Sequence, residues 1–161
     1  MNKFLKPINV LVLEDEPNDA LLIRRAFEDS GCDAFVCRNT SEAAAYLQGS
    51  GMYADRIQFP FPEMFVSDLR LGPDLGIHFL EWLRSVEHLK DLPVIILSGA
   101  ATAKDILAVQ RLAPDRILAK PSNQEELSKL LKEIAGQICP ALRDRAGAVN
   151  IGEAERDVQF A

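Results

Sequence analysis

Short apolar runs separated by longer segments with helical spacing form the main pattern along the chain. The clearest runs cover residues 8–13, 64–67, 94–97 and 117–119, and a weaker one covers residues 34–37. Continuous apolar runs of this length are typical of strands that are buried on both faces of a parallel sheet. The pattern therefore predicts an α/β protein in which five strands alternate with five helices.

Apolar spacing and capping residues locate the helices. They are predicted over residues 18–30, 40–47, 77–86 and 103–112, with a fifth starting after residue 122. Asn18 or Asp19 is the expected cap of the first helix. For the last helix, Ser122 and Glu125 fit a capping box, in which the two side chains satisfy backbone N–H groups reciprocally.

The helical spacing degrades after Gly136, where Pro140, Gly147 and Gly152 interrupt it. Chain ends with this composition are often poorly ordered. We therefore predict one domain over residues 1–135 and a C-terminal tail, frayed helix or disordered, over residues 136–161.

An unusually long connection follows the second predicted helix. Residues 48–62 contain two glycines and two prolines and include the segment Phe-Pro-Phe-Pro at 59–62. Connections of this length are uncommon in compact domains. We expect an insertion whose aromatic side chains fold back on the core.

Polar side chains stand at the carboxyl ends of four of the predicted strands. They are Glu14 and Asp15 after the first strand, Asp68 after the third, Ser98 after the fourth and Lys120 after the fifth. Ligands of open α/β sheets bind outside the carboxyl ends of the strands. The three acids, the hydroxyl and the lysine are therefore expected to meet in one crevice.

Composition narrows the range of partners. The net charge of −6 argues against a general nucleic-acid or membrane-surface binder, which would need clustered Lys and Arg. No apolar segment approaches the length of a membrane span, so a cytoplasmic protein is expected. Cys32, Cys37 and Cys139 are odd in number and lack a CxxC spacing, so free, buried thiols are expected.

Four motifs, each at a strand end, together resemble the receiver domain of two-component response regulators. They are LVLEDEP at residues 11–17, Asp68 followed at the family spacing by Gly76, LSGA at residues 97–100 and LAKP at residues 118–121. The resemblance covers about residues 6–135. It implies a flavodoxin-like receiver fold, doubly wound around a five-stranded parallel sheet of order 2-1-3-4-5. The chain is most similar to stand-alone receivers of the chemotaxis type.

The resemblance also implies roles for the residues of the crevice. Asp68 is the expected phosphoacceptor, forming an aspartyl phosphate. Ser98 and Lys120 are expected to bind phosphoryl oxygens, and the bond between Lys120 and Pro121 is expected to be cis.

A Mg²⁺ site is implied beside the acceptor. Glu14, Asp15, Asp68 and the backbone carbonyl of Arg70 are its expected ligands. Mg²⁺ is a hard cation that prefers oxygen ligands, and its charge offsets the repulsion between the acceptor and an incoming phosphoryl group.

The sequence departs from the family pattern in the loops around the acceptor. Gly72 stands where a proline is common, with Pro73 next, and Ile117 occupies the switch position where receivers commonly carry Tyr or Phe. The resemblance implies that Arg70 and Ala100 flank the path by which water attacks the phosphoryl group. We expect Arg70 to shield that group.

The implied function is that of a signalling receiver, not an enzyme acting on external substrates. It would take a phosphoryl group from a sensor histidine kinase or histidine phosphotransfer protein, and signal by binding a downstream protein or by phosphorelay. One alternative is a degenerate receiver that binds partners without phosphorylation. Another is a metal-dependent aspartyl phosphatase, but such enzymes of the haloacid dehalogenase type carry a second Asp where this chain has Arg70. Whether the protein forms a homodimer is left open.

Overall fold

A computed structural model describes residues 6–71, 74–99 and 101–159, and the side chains of residues 71, 74, 75 and 145–159 are not described. Gly72, Pro73 and Ala100, which the sequence analysis singles out, lie outside these ranges. Among the residues that are described, no helix is both long and apolar enough to cross a membrane.

Five parallel strands form one sheet in the order 2-1-3-4-5, as predicted. The strands are β1 (Ile8–Leu13), β2 (Cys32–Cys37), β3 (Met64–Asp68), β4 (Val94–Ser98) and β5 (Arg116–Ala119). The helices are α1 (Pro17–Asp29), α2 (Thr40–Gln48), α3 (Gly76–Ser85), α4 (Ala103–Gln110) and α5 (Gln124–Gln159). A two-residue antiparallel bridge, Arg70–Leu71 with Asp74–Leu75, joins β3 to α3.

The helices cover both faces of the sheet, which is the doubly wound arrangement. Side chains of a strand alternate between faces, so Val10 and Val12 of β1 point to the layer of α1 and α5. Leu11 and Leu13 point to the opposite layer, where α2, α3 and α4 pack. All of β1 is buried, which explains why its sequence is apolar apart from Asn9, whose backbone N–H donates to the Glu63 carboxylate at 2.7 Å.

Two of the predicted helix caps are wrong by one to three positions. Glu16, not Asn18 or Asp19, caps α1, because Pro17 takes the first helical position, where its missing N–H costs nothing. The Asn123 carboxamide accepts the N–H of Glu125 at 2.8 Å, so Asn123 replaces the expected Ser122 as the cap of α5. A capping box does occur at α4, between Thr102 and Asp105.

The long connection folds back on the core, as expected. A short 3₁₀ helix covers Gly51–Ala54, and the rings of Tyr53 and Phe59 lie 5.1 and 6.1 Å from the ring of Tyr46. The Tyr46 hydroxyl donates to the carbonyl of Pro60 at 2.9 Å. This aromatic cluster covers α2 in the core layer that α2, α3 and α4 share.

Helix α5 continues past residue 135, the predicted end of the receiver unit. Ile138, Cys139 and Leu142 are buried in the core layer shared with α1. The helix passes through Pro140, whose side chain is on the exposed side. The apolar stripe of α5 thus packs on the domain to at least Leu142.

The expectation of free thiols is wrong for two of the three cysteines. Cys32 and Cys139 form a disulfide across 107 residues, with their Cα atoms 6.4 Å apart. The fold places the start of β2 against α5, and no sequence spacing could reveal that proximity. Cys37 is free and buried, and burial raises the pKa of its thiol to about 12.

Candidate functional site

The parallel sheet brings the predicted site residues to one edge. Asp68 is the last residue of β3, and Glu14 and Asp15 lie directly after β1. Lys120 directly follows β5, and its backbone N–H donates to the carbonyl of Ser98 at 2.8 Å. Ser98, the last residue of β4, is half-buried.

The ammonium of Lys120 is the centre of this group. Its Nζ atom lies 2.8 Å from Glu14 Oε2, 2.7 Å from Asp19 Oδ2 and 3.0 Å from Asp68 Oδ2. The side chain of Lys120 is only 11% exposed, and that of Glu14 is fully buried. Charges that are this poorly hydrated persist only when they are paired.

Burial and pairing displace the protonation equilibria of two groups. Burial raises the pKa of Glu14 to about 7, and the contact with Lys120 offsets only part of that rise. Burial alone would lower the pKa of Lys120, but the contacts with Asp19, Glu14 and Asp68 outweigh it and raise this pKa. Lys120 therefore stays charged at neutral pH.

Three acids lie close enough to share one cation. Carboxylate oxygens of Glu14, Asp15 and Asp68 all lie within 4.8 Å of one another. Hard divalent cations prefer this kind of all-oxygen donor set. Glu14 is buried, Asp68 is partly buried and Asp15 is exposed, so the cluster opens to solvent on one side.

Backbone contacts fix the acceptor loop. The N–H of Arg70 donates to Asp68 Oδ1 at 3.0 Å, and the N–H of Gly76 donates to the carbonyl of Leu69 at 2.7 Å. A Cβ atom on Gly76 would lie 2.7 Å from the carbonyl oxygen of Asp68. Gly76 is thus needed at this position because α3 starts directly against the backbone of the acceptor.

Two further residues of the prediction lie beside this centre. The guanidinium of Arg70 lies 3.6 Å from Asp105 Oδ2 of α4, and Arg70 also borders the pocket beside Asp68. Ile117 is half-buried and packs against the layer that contains α3 and α4.

A pocket of about 320 Å³ opens next to the acceptor. Its walls include Asp19, Asp68, Arg70, Gly99 and Lys120, and it continues to the start of α5. The walls combine the carboxylates of Asp19 and Asp68 with the cationic side chains of Arg70 and Lys120.

The Lys120–Pro121 peptide bond is trans, so the cis expectation is wrong. The trans form is the lower-energy isomer of an X–Pro bond unless a tight turn favours cis. With the trans bond, Lys120 already reaches all three acids.

Asp19 is the member of the site that the sequence analysis did not identify. The sequence predicts only a helix cap at this position, because acids in the first turn of a helix are common for electrostatic reasons alone. The one hint in the sequence is that Asp19 lies only five residues after Glu14, close to the predicted acid pair. In the structure it lies in the first turn of α1 and contacts Lys120.

Comparison with known proteins agrees with the fold. The family model of the response regulator receiver domain matches residues 10–132. The chain therefore belongs to the response regulator receiver family, and so to the signalling proteins of two-component systems rather than to the enzymes that act on external substrates.

The relatives found are similar at moderate identity. The response regulator Rcp1 of Synechocystis sp. is 28% identical over 130 residues, which cover 80% of this chain and 86% of Rcp1. Rre1 of the same organism is 27% identical, and the matched part spans only about half (52%) of that protein.

Two crystal structures show the same fold. The phosphorylated cyanobacterial phytochrome response regulator RcpA has a TM-score of 0.73 at 28% identity, covering 80% of this chain and 91% of that one. The Mn²⁺-bound form of Rcp1 has a TM-score of 0.75 at 26% identity, covering 83% of this chain and 95% of that one. A divalent cation is thus present in one structure of similar fold.

Proposed function

We propose that the protein is a phosphoacceptor receiver that takes a phosphoryl group onto Asp68. The observation that carries the proposal is the contact of Lys120 with Asp68 at 3.0 Å, beside two further acids and a pocket that borders the acceptor. The donor is a phosphohistidine of a sensor histidine kinase or of a phosphotransfer protein. Signalling follows by binding of a downstream protein or by phosphorelay, in the cytoplasm.

In the proposed reaction Asp68 Oδ attacks phosphorus, the P–N bond to the donor imidazole breaks, and an acyl phosphate forms. The Lys120 ammonium is proposed to pair with the transferred group, which its contact with Asp68 supports. Ser98 lies on the neighbouring strand, and its hydroxyl is proposed to bond a phosphoryl oxygen. The protein thus promotes its own phosphorylation by positioning and by charge.

We propose Mg²⁺ as the cation of the acid cluster, with Glu14, Asp15, Asp68 and the Arg70 carbonyl as the protein ligands. The cluster of carboxylate oxygens within 4.8 Å supports this set. When bound, the cation supplies positive charge that screens the acids from the incoming phosphoryl group.

The direct test is labelling by a small phosphodonor such as acetyl phosphate, followed by intact-mass measurement. The wild-type protein should gain one phosphoryl group in Mg²⁺ and none in excess chelator, since the three acids repel the donor without a cation. Asp68→Asn should gain none. Asp33→Asn, an exposed acid on β2, is the matched control and should label like the wild type. Equal labelling of Asp68→Asn would refute the assignment.

Mg²⁺ binding should weaken as the pH falls below 7. Glu14 has a pKa of about 7 in the metal-free protein, and it must lose its proton to serve as a ligand. Below that pH each unit of acidification should raise the dissociation constant by about tenfold, the limit for competition with one proton. Calorimetric titration between pH 5.5 and 8 checks this. A dissociation constant that is independent of pH over this range would contradict the proposed role of Glu14.

Arg70 should protect the acyl phosphate from water. Its guanidinium borders the pocket beside Asp68, where it can lie across the transferred group. Arg70→Ala should speed the loss of the phosphoryl group several-fold, equivalent to about 1 kcal/mol of barrier. Decay is followed by intact mass at fixed Mg²⁺, with Arg24→Ala, a surface arginine paired with Glu28, as the control. Equal or slower decay in Arg70→Ala would remove Arg70 from the mechanism.

A receiver that binds partners without phosphorylation is the second candidate. Ile117 favours it, because this residue lacks the polar tip of the usual aromatic switch and is packed against the α3 and α4 layer. Within the phosphoacceptor proposal, we expect the signal to be carried instead by backbone shifts between Ser98 and α4. Unaltered partner binding by Asp68→Asn would favour the second candidate. Two observations argue against the phosphatase alternative: the chain belongs to the receiver family, and Arg70 stands where those phosphatases carry a second Asp.

A further inference from the structure

Lys120 has one acidic partner that the proposed reaction does not use. Asp19 Oδ2 lies 2.7 Å from Lys120 Nζ, the shortest of the three contacts of this ammonium. The Asp19 side chain is 18% exposed and borders the pocket beside Asp68. An ammonium has three N–H donors, so three carboxylates account for all of them.

The other two partners belong to the acid cluster as well. Glu14 and Asp68 have oxygens in the proposed metal set, whereas Asp19 is not one of its members among the described residues. When a divalent cation is bound, Glu14 and Asp68 share their charge between the cation and Lys120. Asp19 is then the one carboxylate of the three that pairs with Lys120 alone and not with the cation.

We propose that Asp19 is a positioning residue that keeps the Lys120 ammonium beside Asp68 while the metal set is occupied. The inference rests on the proposed phosphoacceptor function. Asp19 sits in the first turn of α1, a rigid element that packs on the same core layer as α5. Asp19 therefore contacts Lys120 from α1, an element separate from the strand that carries the acceptor.

Removal of Asp19 has opposite expected effects on the labelling rate, depending on whether Asp19 acts only through its charge or positions Lys120. The site is acidic and the phosphodonor is an anion, so loss of one negative charge should by itself speed labelling of Asp68. If Asp19 positions Lys120, its loss should slow labelling instead, because a displaced catalytic group loses much of its effect.

The first experiment compares labelling rates by acetyl phosphate at saturating Mg²⁺. Asp19→Asn should be slower than wild type by about tenfold, and Asp19→Glu, which keeps the charge, should recover most of the rate. Glu125→Gln is the matched control, since it removes an exposed acid from the first turn of α5 and should label normally. A rate for Asp19→Asn equal to or above that of wild type would overturn the proposal.

A double-mutant comparison tests whether Asp19 acts through Lys120. In a Lys120→Met background, Asp19→Asn should cause no further loss of labelling rate. A loss as large as that in the wild-type background would show that Asp19 acts independently of Lys120, and the positioning role would be wrong.

A second readout does not depend on phosphorylation. In protein labelled with ¹⁵N-lysine, the Lys120 ammonium signal, assigned by its absence in Lys120→Met, should persist in wild type when Mg²⁺ is added. In Asp19→Asn it should be lost to exchange with water on the same addition. Persistence in both proteins would overturn the positioning role. If wild type is never phosphorylated but the signal behaves as expected, the phosphoacceptor function fails and the role of Asp19 in holding Lys120 stands.

Discussion

Gly76→Ala is expected to destabilise the protein by about 2 to 3 kcal/mol and to abolish most labelling of Asp68. The added Cβ would lie 2.7 Å from the Asp68 carbonyl oxygen and 3.1 Å from that of Leu69. Both neighbours are backbone atoms, so relief requires movement of the acceptor loop or of the start of α3. Either movement shifts the Asp68 carboxylate relative to Lys120.

Urea unfolding and phosphodonor labelling measure the two effects. Gly136→Ala is the matched control, because Gly136 is exposed, lies within α5, and has nothing within 4 Å of the added Cβ. This control should be stabilised by about 0.5 to 1 kcal/mol, as expected for Gly to Ala in a helix. If Gly76→Ala were as stable as wild type and labelled at the same rate, the contact between residue 76 and the backbone of Asp68 would not constrain the site.

Lys120→Met should have the second large effect, and that effect should depend on Mg²⁺. Removing the ammonium leaves Glu14, Asp19 and Asp68 without their shared cationic partner, two of them in buried positions. Breaking a buried ion pair by removing one partner costs about 3 kcal/mol. We expect a loss of this size in the metal-free protein, and labelling of Asp68 slower by about a hundredfold even in Mg²⁺.

Added Mg²⁺ should restore much of the lost stability, because a cation bound to Glu14 and Asp68 replaces part of the missing charge. The wild type should gain less from the same addition. Lys90→Met is the control: Lys90 pairs with Glu87 at 2.8 Å on the surface, and its loss should change stability by less than about 1 kcal/mol. A Lys120→Met protein as stable as wild type without metal would contradict the central role of this ammonium.

The sheet and most of the site could be predicted because their signals are local. Apolar runs ending in Glu14, Asp68 and Lys120 indicate buried strands, and parallel strands place their carboxyl ends at one edge. The sequence thus correctly predicts that these side chains meet. The fold-back of Tyr53 and Phe59 in the 48–62 connection is predictable for a similar reason, since large apolar rings favour burial, although Phe61 of the same connection remains exposed.

Two of the errors lie where residues distant in the sequence come together in the fold. The Cys32–Cys139 disulfide joins residues 107 positions apart, and their approach follows from the packing of α5 against α1 and β2. Asp19 was missed because an acid in a first helical turn looks the same whether it serves the helix dipole or pairs with a lysine from β5. The error at the α1 cap is local: Pro17 is the first helical residue, which places the cap at Glu16.

Chemical trapping of the acyl phosphate tests the central claim most directly. Borohydride reduces an aspartyl phosphate to homoserine, whereas phosphate esters and free carboxylates do not react. Protein labelled with acetyl phosphate in Mg²⁺, then reduced, digested and sequenced by mass spectrometry, should contain homoserine at position 68 and at no other aspartate, and none without Mg²⁺. An unreduced Asp68 in labelled protein, or homoserine at Asp15 or Asp19 instead, would contradict the assignment of Asp68 as the phosphoacceptor.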